Sequence, residues 1–179
     1  MAKKGFHHVA YACRDIQETV DFYTHVMGFD LIHTEVTPGR EGGFFRHIFF
    51  DIGDGSCLAF FELHDVGLPP DGVVKTAVST DLGFPRWVNH IAFDSTAENR
   101  LNVAMRLKDH CGREVDQTIR RSWGDSTYFE DPNGIMVELV VPSERGFNEE
   151  DRQQARPLLT RVPAPGDTST NPGTKIDIF

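Results

Sequence analysis

His90-Ile91-Ala92-Phe93 restates His8-Val9-Ala10-Tyr11 at a separation of 82 residues: a His, a β-branched residue, an Ala and an aromatic. A second echo follows each copy. Phe61-Glu62-Leu63 closes an apolar run in the first half, and Val137-Glu138-Leu139 closes one in the second, 76 residues later. The two halves therefore differ by an indel of six, and an internal repeat of this kind fixes the architecture before any local reading. The echoes also place two His and two Glu on strands, which is an inventory suited to a metal site.

Outward from these anchors, residues 6–13 alternate as a strand, with Phe6, His8, Ala10 and Ala12 on one face. Asp15 stands three residues before Glu18, a helix-capping spacing. Ile16, Val20, Tyr23 and Met27 follow at helical intervals, and Gly28 is placed to end the helix. Strands are expected over 29–36, 44–52 and 57–63, the last two joined by the tight turn Gly53-Asp54-Gly55. On the last strand, Leu58, Phe60 and Glu62 share a face. A Gly-, Pro- and Asp-rich connector spans 64–86, and the order then begins again. A strand runs over 87–93. A helix capped by Ser95 or Thr96 presents Leu101, Ala104, Met105 and Cys111 and ends at Gly112. Short strands cover 115–121 and 126–130, Asp131-Pro132-Asn133-Gly134 forms a turn, and a strand covers 135–141.

The expected fold is thus α+β, with two βαβββ modules at 5–64 and 86–142 in one domain, and a tail over 143–179. The tail has room for one short helix at 147–155. Its Pro- and Gly-rich remainder is expected to pack across the body or onto a second subunit.

Composition narrows the function. The net charge is −9, which argues against nucleic acid, because phosphate binding relies on Lys and Arg. No apolar run approaches the roughly 20 residues of a membrane span, and the first residues lack a signal peptide's apolar core. Cys13, Cys57 and Cys111 are an odd and sparse set, which fits reduced thiols in a cytoplasmic protein.

A single His on an apolar strand is more often a core residue than a ligand. A carboxylate among Phe60, Phe61 and Leu63 is harder to explain, since burying one is costly unless it is paired or holds a metal. By the repeat, His8 matches His90 and Glu62 matches Glu138. A pseudo-twofold axis would bring all four together around a divalent cation.

These residues resemble the vicinal oxygen chelate superfamily, which includes glyoxalases, fosfomycin- and bleomycin-resistance proteins, methylmalonyl-CoA epimerase and extradiol dioxygenases. The resemblance covers about residues 5–142. It rests on Phe6-His7-His8-Val9-Ala10 with Asp15, on Asp21-Phe22-Tyr23 with Val26-Met27-Gly28-Phe29, on Val88-Asn89-His90-Ile91-Ala92-Phe93, and on Tyr128-Phe129-Glu130-Asp131-Pro132-Asn133-Gly134 followed by Glu138. It implies a curled mixed sheet around a metal cavity, with His8, Glu62, His90 and Glu138 as ligands. It also implies one divalent ion (Zn, Ni, Co, Mn or Fe(II)), catalytic roles for Glu62, Glu138 and Tyr128, a small-molecule substrate and a homodimer.

Within the superfamily, the four-ligand set implies a glyoxalase-type lyase or isomerase acting on vicinal oxygens through a metal-stabilised enolate. The alternative is an extradiol-type ring-cleaving dioxygenase with His8, His90 and Glu138 as an Fe(II) triad and Leu58-Ala59-Phe60 similar to its strand. There the usual acid–base His is replaced by Ser56-Cys57, and His47 or His64 would have to serve. A metal-free resistance protein that binds a small molecule is the third reading. Arg120-Arg121 reads equally as a solvated edge or as a clamp for an anionic substrate.

Overall fold

A computed structural model describes residues 5–167. Strand β1 (His8–Ala12) is followed by helix α1 (Ile16–Asp21). Asp15 caps the helix in an extended conformation, its carboxylate accepting from the Glu18 N–H at 2.9 Å. The chain continues as a wide π-helical turn, Phe22–Met27, and Gly28 closes it at φ +79°. This turn buries Phe22, Tyr23, Val26 and Met27 together. Strands β2 (Asp30–Pro38), β3 (Phe44–Asp51) and β4 (Cys57–His64) complete the first βαβββ unit. After the connector, which carries one short 3₁₀ turn at Thr80–Leu82, the order repeats. It runs through β5 (His90–Asp94), α2 (Ala97–Cys111), β6 (Gln117–Arg121), β7 (Gly124–Glu130) and β8 (Met136–Pro142).

Each unit forms its own four-stranded mixed sheet, β1-β4-β3-β2 and β5-β8-β7-β6. The first strand of each is an edge, paired in parallel to the last. Both sheets turn one face toward a shared layer of helices. Ile48, Phe50, Leu58 and Phe60 come from the first sheet and Phe93, Phe129, Val137 and Leu139 from the second. They enclose Tyr23, Val26, Val103 and Leu107 in one core. The helices fill the space between the sheets, so the opposite faces are left for the site.

On α2 the buried stripe differs from the expected one. Val103 and Leu107 are fully buried, whereas Leu101 and Met105 are 63% and 57% exposed and Cys111 is exposed. Arg106 decides between the two apolar stripes. Its Nε donates to the Val26 carbonyl at 2.7 Å, which turns the 103–106–107 side toward the first unit.

A buried polar knot joins the units across their turns. The Tyr23 hydroxyl meets Asp131 Oδ2 at 3.1 Å. The Arg14 N–H donates to Asn133 Oδ1 at 2.9 Å, and Asn133 Nδ2 donates to Thr19 at 3.2 Å. Burial raises the Asp131 carboxyl above its ordinary value, against the pull of hydrogen bonds from Asn133, Ile135 and Tyr23.

The tail carries α3 (Glu149–Leu158), started by an Asn148–Asp151 capping box. The helix buries no residue, so this part of the tail does not pack across its own body. Its anchor is Phe147 against Trp123, with ring centroids 5.1 Å apart. The rest of the expected packed tail, 168–179, lies outside the described residues. Among the described residues no helix is long and apolar enough to cross a membrane, and the three cysteines are free thiols.

Candidate functional site

Strand alternation places His90 and Ala92 on the face of β5 that turns away from the core, while Phe93 points in. The register pairs Ala92 with Glu138 and Glu138 with Tyr128, so these side chains share His90's face. Glu138 is only 3% exposed. Its Oε2 lies 2.9 Å from His90 Nε2, while Oε1 is buried with no hydrogen-bond partner. His90 Nδ1 lies 2.9 Å from the Trp87 carbonyl, an acceptor that assigns the proton to Nδ1 and directs Nε2 at Glu138. The hydrogen bond to Glu138 raises the His90 pKa against the effect of burial. Burial alone would push the Glu138 carboxyl up, but the hydrogen bond from His90 and the nearby Ser126 and Tyr128 hydroxyls outweigh it and hold it below its ordinary value. Tyr128 sits edge-on to His90 at 6.2 Å, and burial raises its pKa.

The corresponding face of the first sheet carries His8 and Ala10, both exposed. It continues into Phe61 on β4 and His47 and Phe49 on β3. His47 stacks on Phe61 at 3.7 Å with an interplanar angle of 12°, and the His8 ring lies 6.0 Å from it. His47 Nε2 is buried and has no partner, and burial lowers the imidazole's pKa despite nearby Glu35. Sequence pattern alone does not place His47 or His64. The register assigns His47 to the His8 face and His64 to the other.

Glu62 does not join His8. Ala10 pairs with Ala59 as Ala92 pairs with Glu138, so Ala59 is the structural counterpart of Glu138. Glu62 lies three residues further along and therefore on the opposite face, opposite Arg46. It bonds Arg46 and, at 2.8 Å, His64 Nε2. Burial would raise its carboxyl, but the His64 and Arg46 hydrogen bonds outweigh that and lower it. The match of the two Phe/Val-Glu-Leu segments is thus a slip of three residues, an odd number that reverses the face in a period-2 strand.

Nor does the chain bring His8 to His90 and Glu138. An open cleft of about 780 Å³ lies between β1 and β5, bordered by Val9, Tyr11, Phe29, Ile52, His90 and Ile91. Among the described residues no three His, Cys, Asp or Glu side chains gather as a metal cluster. The candidate ligands thus lie on two separate faces, His8 on one and His90 with Glu138 on the other. The donor set nevertheless suits a divalent ion: the orphaned Glu138 oxygen and the oriented His90 imidazole are what such an ion requires.

The profile of the Glyoxalase/Bleomycin resistance protein/Dioxygenase superfamily matches residues 5–139. A 2-epi-5-epi-valiolone epimerase from Actinomyces sp is 27% identical over 155 residues, covering 80% of this chain and 83% of that protein. Among solved structures, a mutant of the genomically encoded fosfomycin resistance protein FosX from Listeria monocytogenes, complexed with Mn(II) and 1S,2S-dihydroxypropylphosphonic acid, is similar in fold. It superposes with a TM-score of 0.53 at 21% identity, over 80% of this chain and 94% of that one. TnmS3, an antibiotic binding protein from Streptomyces sp. CB03234, gives 0.53 at 22% identity over 80% and 99%. With its repeated βαβββ units and a family match over most of its length, the chain belongs to the Glyoxalase/Bleomycin resistance protein/Dioxygenase superfamily.

Proposed function

We propose that this protein is a metal-dependent enzyme of lyase, isomerase or epimerase type. It acts on a small substrate with vicinal oxygens, at a site completed between two copies of the chain. The observation that carries the reading is the His90–Glu138 pair, whose second carboxylate oxygen is buried without a hydrogen bond. His8 of one copy would join His90 and Glu138 of the other as ligands. Ala10 and Ala92 flank these His residues on the exposed faces, so two such faces can approach closely. Exposed apolar residues beside them, Phe6, Trp87 and Val88 among them, favour cover by a second copy.

A divalent ion held there would act as a Lewis acid on the substrate's vicinal oxygens. The chain supplies the rest. His47, neutral through burial and with a free Nε2, is suited to take a proton from carbon and return it. Tyr128, kept protonated by burial, is suited to donate a hydrogen bond to a substrate oxygen. The epimerase relative supports a proton-transfer reaction.

One observation favours a second reading. With Ala59 at the position in the first unit that corresponds to Glu138, the ligand set is two His and one carboxylate, the triad that leaves open positions for a catechol and O₂ on Fe(II). Metal analysis of the protein as isolated, followed by oxygen-electrode assays with catechols, separates the two. Mn, Co, Ni or Zn without O₂ uptake supports the isomerase class. Iron with catechol-dependent uptake supports the dioxygenase. A protein that takes up no divalent metal overturns both and leaves small-molecule sequestration.

A further inference from the structure

Building on that metal site, we propose that the substrate carries a carboxylate beside its vicinal oxygens, and that Arg121 selects it. Arg121 pairs with Gly124 at the end of β6, as Gln117 pairs with Tyr128, so its side chain shares the face of Tyr128 and Glu138. Its guanidinium lies over the rings of Trp123 at 5.2 Å and Tyr128 at 5.8 Å. The side chain is only 16% exposed, and its Nη1 is buried without a hydrogen-bond partner. The nearest carboxylate oxygen, Glu138 Oε1, is its ion-pair partner at 3.9 Å, beyond hydrogen-bond reach, and itself accepts no hydrogen bond. A largely buried guanidinium that meets its carboxylate neighbour only at this distance keeps a donor free for another acceptor.

Three other carboxylates of the second unit are engaged elsewhere. Asp125 faces Arg100 and Arg120, and Glu130 and Asp116 face Arg86. With Glu138 committed to a divalent ion, the ion and Arg121 together leave an excess of two positive charges in a largely buried site. A carboxylate and one ionised vicinal oxygen offset that excess, whereas a neutral diol does not. The planar guanidinium fork also matches a carboxylate's two oxygens. Arg120, next along the strand, points to the opposite face and is 87% exposed, so it cannot take this role. On the first sheet, which a second copy would bring opposite, Phe49 and the flat His47–Phe61 stack offer an aromatic wall for a planar body.

The test uses the full chain loaded with Co(II), titrated with 2,3-dihydroxybenzoate and with catechol and read by the cobalt absorption. The acid should bind about tenfold tighter or more, the scale of charge-assisted hydrogen bonds. In Arg121→Gln the ratio of the two affinities should fall to near one. Arg121→Lys, which keeps the charge but not the fork, should lower the ratio several-fold and carries the test if the Gln variant fails to fold. Equal affinities in the native protein, or a ratio unchanged in either variant, overturns the proposal while leaving the metal site standing. Failure of the native chain to take up Co(II) overturns the metal site and this inference together.

Discussion

His90 and Glu138 stabilise one another only while the imidazole is protonated and the carboxylate is not. The His90 pKa is raised above its ordinary 6.5, so its contribution to stability is complete below that value and is lost as pH rises through the raised one. The Glu138 carboxyl is lowered from 4.5, so its contribution is present above that value and is lost as pH falls through the depressed one. Metal-free protein should therefore lose urea resistance as pH is raised above 6.5, and His90→Asn should flatten that limb; a limb of equal slope in the variant would sink the assignment. A second expectation separates the two Glu residues. Glu138→Gln should abolish tight metal binding. Glu62→Gln should leave metal uptake intact and cost only about 1 kcal/mol, through its Arg46 and His64 partners. The comparison is made by metal titration and denaturant melts on both. The strand faces that carry His8, His90 and Glu138 were legible, because the alternation of each strand is unambiguous. The face of Glu62 relative to His8 was not legible, because two short apolar-Glu-Leu segments look alike at any register, and only the pairing of β4 with β1 shows the three-residue slip.

The elements owe their ends to local chemistry that sequence displays plainly. The Asp15 and Thr96 caps and the Gly28 and Gly112 terminators stand where expected. The buried face of α2 was not legible, because it depends on Arg106 reaching a carbonyl 80 residues away in the chain. Between elements, the turn after β7 holds the two units in register. Tyr23→Phe should cost about 1–2 kcal/mol by leaving Asp131 short of a donor. Gly134→Ala should cost at least as much. Gly134 has φ +78°, and an added Cβ would lie 2.8 Å from that of Ala77. Thermal melts of both variants test this; Tm values equal to the parent's would show that the knot is not what couples the units.

At the scale of the whole molecule, the repeat in the sequence predicted two equivalent units, and the fold contains them. It did not reveal how they face one another. That follows from the shared core, in which Phe22 of the first unit meets Phe129 of the second and the helices lie between the sheets. In the proposed site, the His8 face and the His90–Glu138 face are two half-sites that complete one another. In a twofold dimer, the first sheet of either copy would meet the second sheet of its partner, giving two composite sites. Complementation tests this directly. His8→Ala and Glu138→Ala chains, each differently tagged, are purified alone and as the mixed dimer, and bound Co(II) or Mn(II) is counted. Assembly across two copies predicts that neither variant alone holds metal tightly. The mixed dimer should hold one ion, because one of its two sites combines the intact His8 of one chain with the intact Glu138 of the other. A mixed dimer as empty as its parents would contradict it.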